Sequence, residues 1–433
     1  MLYVVHCVDA EGPLNETLCA TFERLKYIFN IDLEPTSDNL KIIQEGEFKT
    51  GDSSKDNQIK LAFSSEVLKY NANWHDIDAM CTRIFSERLR FRNLDDFGTP
   101  WKITWFCLDH VNYRHNPREK AIGYSIVYKY YRDLLNKNPQ YGDEVQWHFH
   151  PKSLNYNPIA GATSFNNSMQ EILEILARKT IDDGWFPTVF RPGFHSERQD
   201  ANFFLEQWFP FDYGNQNYET EILQPDLSNG RFGDWSRAPN SWRGYHPSIL
   251  KYDVVGSLSR TIFRCLNMGT RLRLLEKHHI DEAFQEAQIS GDAIVSFTDH
   301  DFRDIEPDIK KFQEMLFETK KNYPNVQIRF CTAEEAAQRM LGKLGSTVQL
   351  LLDLEDNRLS VTCKLGEIFG SQPFLAIKTK DGQYLHDNLD FTSDGKSWTY
   401  TFDEQTLELN EVAIIGVSSA GKFGGSFTER IFL

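Results

Sequence analysis

The stretch VQWHFHP, residues 145–151, ends a short apolar run with two histidines one residue apart. Alternate side chains of a β-strand lie on the same face, so His148 and His150 can point at one spot. Two imidazole nitrogens directed at one point are typical of a metal site. Ordinary surface or core histidines at a strand end are an equal alternative, so the rest of the chain has to decide between them.

Other short apolar runs share this arrangement, and each is followed by polar residues. They are LYVVHCV (2–8), KITWFCL (102–108), TVF (188–190), FPF (209–211) and DAIVSF (292–297). Between them lie segments with apolar residues at helical spacing, namely 118–137, 166–180, 260–277 and 304–321. Alternation of strands and helices predicts parallel β/α units and a distorted (β/α) barrel.

The carboxyl ends of the strands build the active site in β/α barrels. The polar residues that follow the apolar runs are therefore candidates to converge at one end of the molecule. They are Asp9, Glu11, Asp109, His110, His148, His150, Arg191, His195, Asp212 and His300. Any one of them alone could be a helix cap or a turn residue.

Two regions depart from the alternation. Residues of about 30–100 are polar, with a weak helical pattern at WHDIDAMCTRIFSERLR, and we interpret them as an insertion that lies over the barrel mouth. Residues 346–433 instead alternate apolar and polar positions around Asp-Asn and Asp-Gly turns. We predict a barrel domain over 1–342 and a separate antiparallel, sandwich-like β domain over 346–433 that supplies no catalytic group.

Composition limits the partners and the compartment. Asp and Glu total 62 against 47 Lys and Arg, a net charge of −15, which disfavours a nucleic-acid surface. No run reaches the roughly 18 apolar residues that span a bilayer, and the N-terminus lacks a signal-peptide pattern. The 7 scattered cysteines fit reduced thiols. We expect a cytoplasmic protein, and the oligomeric state stays open.

In motif order, residues 1–335 resemble the polysaccharide deacetylase superfamily (carbohydrate esterase family 4 type). The matching stretches are VDAEGP at 8–13, the histidine pair, FRPGF at 190–194 and AIVSFTDHD at 293–301. The chain departs from the family in having Asp-x-Glu where adjacent aspartates are usual, and histidines at i, i+2 where i, i+4 is commoner. The family's Asp and Trp motif has only loose counterparts in Asp212, Asp234 and Trp235.

The resemblance implies a role for each matching residue. Glu11, His148 and His150 would bind one divalent ion, with Zn²⁺ expected and other first-row ions also suited to the ligand set. Asp9 would be the general base, or alternatively a second metal ligand or a helix-capping carboxylate. Arg191 would keep Asp9 ionised, or alternatively serve only to bridge strand ends.

By the same resemblance, His300 would protonate the leaving amine. The flanking carboxylates of Asp299 and Asp301 could orient its ring and raise its pKa, or alternatively they only satisfy a structural histidine. Phe194 would offer its backbone N–H to the oxyanion. The loop GDWSRAPNSWRGYHP, 233–247, has aromatic and basic residues suited to a sugar. Asp212, Trp235 and Arg237 are therefore the other predicted substrate contacts, beside the alternative that this is an ordinary packed loop.

The implied function is a metal-dependent hydrolase that removes an acyl group, expected to be acetyl, from an N-acylated sugar or a surface-polysaccharide precursor. One alternative is a degenerate, non-catalytic glycan-binding protein of the same fold. Another is an amidohydrolase-type metal hydrolase, although that class carries its His-x-His after the first strand and this chain carries it after the third apolar run.

Overall fold

The computed structural model of this chain describes residues 1–109, 125–152, 154, 164–218, 232–270, 272–393 and 395–433. Its larger part is a nearly closed barrel of parallel strands. The barrel strands, together with β9, which pairs beside them, are β1 (Leu2–Ala10), β2 (Thr104–Asp109), β3 (Glu144–Phe149), β4 (Val189–Pro192), β5 (Phe211–Asn215), β6 (Thr261–Arg264), β7 (Leu266–Asn267), β8 (Ala293–His300) and β9 (Ile328–Cys331).

Helices surround the barrel and connect its strands. They are α1 (Leu18–Phe29), α2 (Ser37–Glu45), α3 (Ser53–Ala62), α4 (Trp74–Ile84), α5 (Glu87–Arg90), α6 (Ile126–Lys137), α7 (Met169–Arg178), α8 (Gln199–Trp208), α9 (Lys277–Ser290), α10 (Glu306–Lys320) and α11 (Ala333–Met340). A π-helical turn, Lys179–Asp183, extends α7, and single 3₁₀ turns lie at Pro139–Tyr141, Asn166–Ser168, Gly193–His195 and Leu409–Glu411.

The strands follow one another around the barrel in the order β6-β5-β4-β3-β2-β1-β8-β7. Segment 261–267 nearly closes the ring, because β6 pairs with β5 and, after Cys265, β7 pairs with β8. The helical prediction for 260–277 is therefore wrong. Apolar residues at helical spacing lie here on a buried strand, and a short buried strand cannot be told from a helix by periodicity alone.

Strand β1 is the centre of this sheet. Every residue of β1 is buried, as expected for a parallel strand covered on both faces. It pairs with β8 at Leu2–Asp9, with β9 at Leu2–Val5 and with β2 at Cys7–Ala10. Its carboxyl end therefore delivers Asp9 and the following Glu11 to the middle of the barrel mouth.

The insertion between β1 and β2 is helical where the sequence indicated mostly loop. Helices α1, α2 and α3 enclose a small apolar core of their own, which includes Phe22, Leu25 and Phe63. Helix α4 packs instead on the barrel core through Ile77 and Met80. The segment between α3 and α4 reaches the carboxyl ends of the strands, where Asn71 N–H donates to the Phe302 carbonyl over 2.8 Å.

The C-terminal part is an antiparallel β-sandwich, as the alternation predicted. One sheet has the order β10-β11-β15-β14 and the other β13-β12-β16-β17. The strands are β10 (Gln349–Glu355), β11 (Arg358–Leu365), β12 (Phe374–Thr379), β13 (Tyr384–Asp387), β14 (Asp390–Phe391), β15 (Ser397–Thr401), β16 (Val412–Ala420) and β17 (Ser426–Phe432).

The sandwich shares a core with the barrel, so it is less separate than its sequence pattern indicated. Phe374 and Ala376 of β12 belong to the same buried cluster as Trp147 and Phe149 of β3. A row of aromatic rings connects the two parts. The ring centroids of Phe374 and Phe186 are 5.7 Å apart, those of Phe186 and Phe209 5.8 Å, and those of Phe209 and Trp147 5.3 Å.

Among the residues that the structure describes, no helix is both long enough and apolar enough to span a bilayer.

The shared core predicts that the two parts unfold as one unit. Phe374→Ala should lower the free energy of unfolding by about 3–5 kcal/mol, because it empties a fully buried aromatic site between them. Urea unfolding followed by tryptophan fluorescence and by circular dichroism checks this. Phe391→Ala, at a position 61% exposed in the same sandwich, is the matched control and should stay within about 0.5 kcal/mol of the wild type. Two separate transitions, or a Phe374 effect as small as the control's, would contradict the shared core.

Candidate metal centre

Glu11, His148 and His150 form a compact group of metal-ligating side chains at the barrel mouth. One potential ligand atom from each lies within 4.8 Å of the other two. The two Nε2 atoms are 3.0 Å apart, and Glu11 Oε1 lies 3.7 Å from His148 Nε2 and 3.4 Å from His150 Nε2. Glu11 and His148 are buried, whereas the His150 side chain keeps 13% of its surface exposed.

These distances fit a first-row divalent ion. A tetrahedral ion with ligands at about 2.0–2.2 Å holds its ligand atoms about 3.3–3.6 Å apart, close to the observed triangle. One carboxylate oxygen and two imidazole nitrogens leave a fourth position for water or substrate. The predicted triad is therefore brought together as a group that could hold a metal ion.

The orientation of His148 is determined by its other ring nitrogen. Nδ1 lies 2.9 Å from the carbonyl oxygen of Arg191, which only accepts hydrogen bonds. His148 therefore carries its proton on Nδ1 and presents the Nε2 lone pair to the triad. This arrangement is the usual support of a histidine ligand.

The position of His150 depends on a glycine. A Cβ at Gly193 would lie 2.5 Å from the His150 ring, so any side chain there would displace the imidazole. The Phe194 ring packs edge-on against His150, with centroids 4.8 Å apart. Gly193 lies within the FRPGF motif, and sequence reasoning assigned it no role.

Asp9 and Arg191 form a fully buried ion pair beside the triad. Arg191 Nε donates to Asp9 Oδ1 over 2.6 Å and Nη2 donates to Oδ2 over 3.0 Å. Burial alone would raise the pKa of Asp9, but the Arg191 guanidinium holds it well below its usual range. Both carboxylate oxygens are occupied by Arg191, so the geometry favours Glu11 over Asp9 as the oxygen ligand.

His300 lies next to the triad without belonging to its closest group. Its Nε2 is 3.8 Å from Asp9 Oδ2 and 4.0 Å from Glu11 Oε1. Asp299 does not orient this ring, because its carboxylate bonds His6 Nε2 at 3.0 Å. The Asp301 carboxylate accepts hydrogen bonds from the backbone N–H groups of Glu11 and Gly12. Both carboxylates thus have partners other than His300.

The turn after β4 packs against His150 of the candidate metal centre. Phe194 and His195 both adopt left-handed backbone conformations, with φ of 52° and 47°. Burial, then the nearby Arg191, lowers the pKa of His195 well below its usual value, so its ring is neutral. Trp235 Nε1 donates to the His195 carbonyl over 2.7 Å.

The other predicted substrate contacts have structural partners. Asp212 is fully buried and accepts from Arg260 over 2.6 Å, and Trp235 is also fully buried, so neither offers a surface to a sugar. Arg237 pairs with Asp253 over 2.7 Å and keeps 47% of its side chain exposed. Asp234 accepts from Ser236 in its own turn.

Asp109 faces away from the site. It forms a buried ion pair with Lys179 at 2.6 Å and accepts from Trp147 Nε1, which lies on the outer side of β3. Neighbouring side chains of a strand point to opposite faces, so Trp147 points outward where His148 points inward. Asp109 lies on the outer side with Trp147. His110 lies outside the residues that the structure describes.

Comparison with models of known protein families, with curated proteins and with solved structures yields no match for this chain. The site therefore has to be interpreted from its own geometry.

The contact between Gly193 and His150 generates a prediction about metal affinity. Gly193→Ala should weaken zinc binding roughly 10-fold or more, because it pushes a ligand ring out of place. Gly244→Ala is the matched control, since its Cβ would lie 2.5 Å from Thr261 and disturbs packing away from the triad. Both variants should lose stability, and zinc titration should separate them. Equal zinc affinity in the two variants would show that Gly193 serves packing alone.

The buried ion pair generates a prediction about pH. Arg191→Met should lower the free energy of unfolding by about 3–5 kcal/mol at neutral pH, because it leaves the Asp9 carboxylate buried without its cation. In this variant burial raises the pKa of Asp9 above its unfolded value, so protonation favours the folded state. The deficit should therefore shrink as the pH is lowered to about 5. Urea unfolding of the metal-free protein measures it, and the Asp9→Asn, Arg191→Met double variant should lack this pH dependence.

Proposed function

We propose that this protein is a metal-dependent hydrolase that removes an acyl group, acetyl in the first instance, from an N-acylated sugar. The observation that carries the proposal is the convergence of Glu11, His148 and His150 with the Asp9–Arg191 pair and His300 at one end of a parallel barrel. The motif order that resembles polysaccharide deacetylases supports the same conclusion.

An amide carbon is a poor electrophile, so its hydrolysis needs an activated water, a stabilised oxyanion and a proton for the leaving amine. A divalent ion at the triad would supply Lewis acidity and a water of lowered pKa. Arg191 holds the pKa of Asp9 below its usual range, so Asp9 would be a weak base that accepts a proton only from a strongly acidified donor. Arg191 also keeps Asp9 ionised and ready to accept.

The remaining roles fall to groups on the mouth. His300 Nε2 lies near Asp9. Asp9, which would accept a proton, and His300, which would donate one, could therefore both reach the same reacting group. The backbone N–H of Phe194, in the turn against His150, is our candidate donor to the oxyanion. The partly exposed Phe194 ring of this turn suits the face of a sugar ring.

Metal analysis and acyl release together test this function. After reconstitution with zinc, the protein should hold about one equivalent and release acetate from at least one member of a panel of N-acetylated sugars. The His148→Ala, His150→Ala double variant should do neither. Protein that takes up no ion would favour the degenerate, glycan-binding alternative.

His300→Ala separates a proton donor from a ligand. Turnover should fall roughly 10²–10⁴-fold, the usual contribution of a positioned acid, while zinc content stays unchanged. Acetate release and metal analysis on the same preparation measure both quantities. Loss of zinc would instead show His300 to be a ligand, and unchanged turnover with altered stability would show it to be structural.

A further inference from the structure

The turn that carries Glu11 is bound to a buried carboxylate that lies 290 positions further along the sequence. Asp301 directly follows β8 and is fully buried. It accepts from Glu11 N–H over 2.7 Å and from Gly12 N–H at 3.0 and 3.1 Å. The Tyr131 hydroxyl donates to the same carboxylate over 2.8 Å.

Two successive backbone N–H groups can converge on one anion only in an unusual backbone conformation. Gly12 provides it, with φ of +73°, a region that other residues rarely adopt. A Cβ at this position would also contact Val127 at 3.4 Å and Trp74 at 3.5 Å. The conformation of this turn and its carboxylate partner are thus matched.

The insertion braces Asp301 in turn. Asn71 Nδ2 donates to the Asp301 carbonyl over 2.7 Å. The backbone of Asn71 also joins both loops, because it donates to Phe302 over 2.8 Å and accepts from Leu14 over 2.9 Å. The loops after β1 and β8 are therefore tied together immediately beside the metal ligands.

We propose that Asp301 is a positioning residue for the metal centre, which acts by fixing the backbone from which Glu11 reaches the two histidines. This inference rests on the proposed function. A glutamate side chain has several rotatable bonds, so its oxygen stays in place only if its backbone is held.

Asp301→Asn is the direct test, because it keeps the shape and removes acceptor capacity. The amide NH₂ cannot accept from Glu11, Gly12 and Tyr131 together. Zinc affinity, measured by competition with a chromophoric chelator, should weaken roughly 10–100-fold. With Co²⁺ in place of zinc, the visible absorption should weaken as the oxygen ligand becomes disordered, a signature that a general loss of stability does not produce.

Two further variants keep the test sharp. Asp304→Asn removes a carboxylate from the same loop, 42% exposed and paired with Arg83, and should leave zinc affinity within about twofold. Tyr131→Phe removes one of the hydrogen bonds to Asp301 without altering its charge. It should weaken zinc binding about 2- to 10-fold, and it remains informative if Asp301→Asn does not fold.

The outcomes separate this inference from the proposed function. Wild-type protein that binds no zinc would overturn the metal centre itself. Wild-type protein that binds zinc, together with Asp301→Asn and Tyr131→Phe variants of equal affinity, would overturn the role of Asp301 alone. Equal weakening in Asp304→Asn would also overturn it, since the effect would then be one of loop charge.

Discussion

The buried pairing of Asp9 with Arg191 is the constraint on which the mouth of this barrel depends. Neither charge reaches solvent, so each requires the other, and breaking such a pair costs far more than an exposed one. The pair joins β1 to β4 across the interior. The carbonyl oxygen of Arg191 also accepts a hydrogen bond from His148 Nδ1–H. One residue therefore determines both the ionisation of the candidate base and the orientation of a candidate ligand.

The two faces of β3 connect this site to the rest of the molecule. His148 points inward to the triad, whereas Trp147 and Phe149 point outward into an aromatic layer. That layer continues to Phe374 in the C-terminal sandwich. Because protein interiors are close-packed, a substitution on the outer face of β3 can shift the candidate ligand His148 on the inner face. The sandwich supplies none of the site side chains, yet its Phe374 belongs to the same buried cluster as Trp147 and Phe149 of the strand that bears the histidines.

Two departures from the deacetylase pattern have local physical counterparts. The i, i+2 histidine spacing places the second imidazole against position 193, and only glycine leaves room for it there. The glutamate at position 11 lies beyond the end of β1, in a turn bound by the Asp301 carboxylate. Each unusual ligand position is thus matched by a neighbour that permits or holds it.

Much of this organisation could be predicted from the sequence, because it follows from local patterns. Apolar runs ending in polar residues indicated the strands and ten candidate residues at the mouth, and alternation indicated the sandwich. The resemblance to polysaccharide deacetylases then selected Glu11, His148 and His150 from those candidates. The helix predicted at 260–277 was wrong because a short buried strand and a buried helix show the same run of apolar residues. The burial of Asp212 and Trp235, the outward turn of Asp109 and the partner of Asp301 are set by contacts between residues 38 to 290 positions apart. Only the tertiary structure decided these, since no local spacing records which distant group will satisfy a buried charge or hydrogen bond.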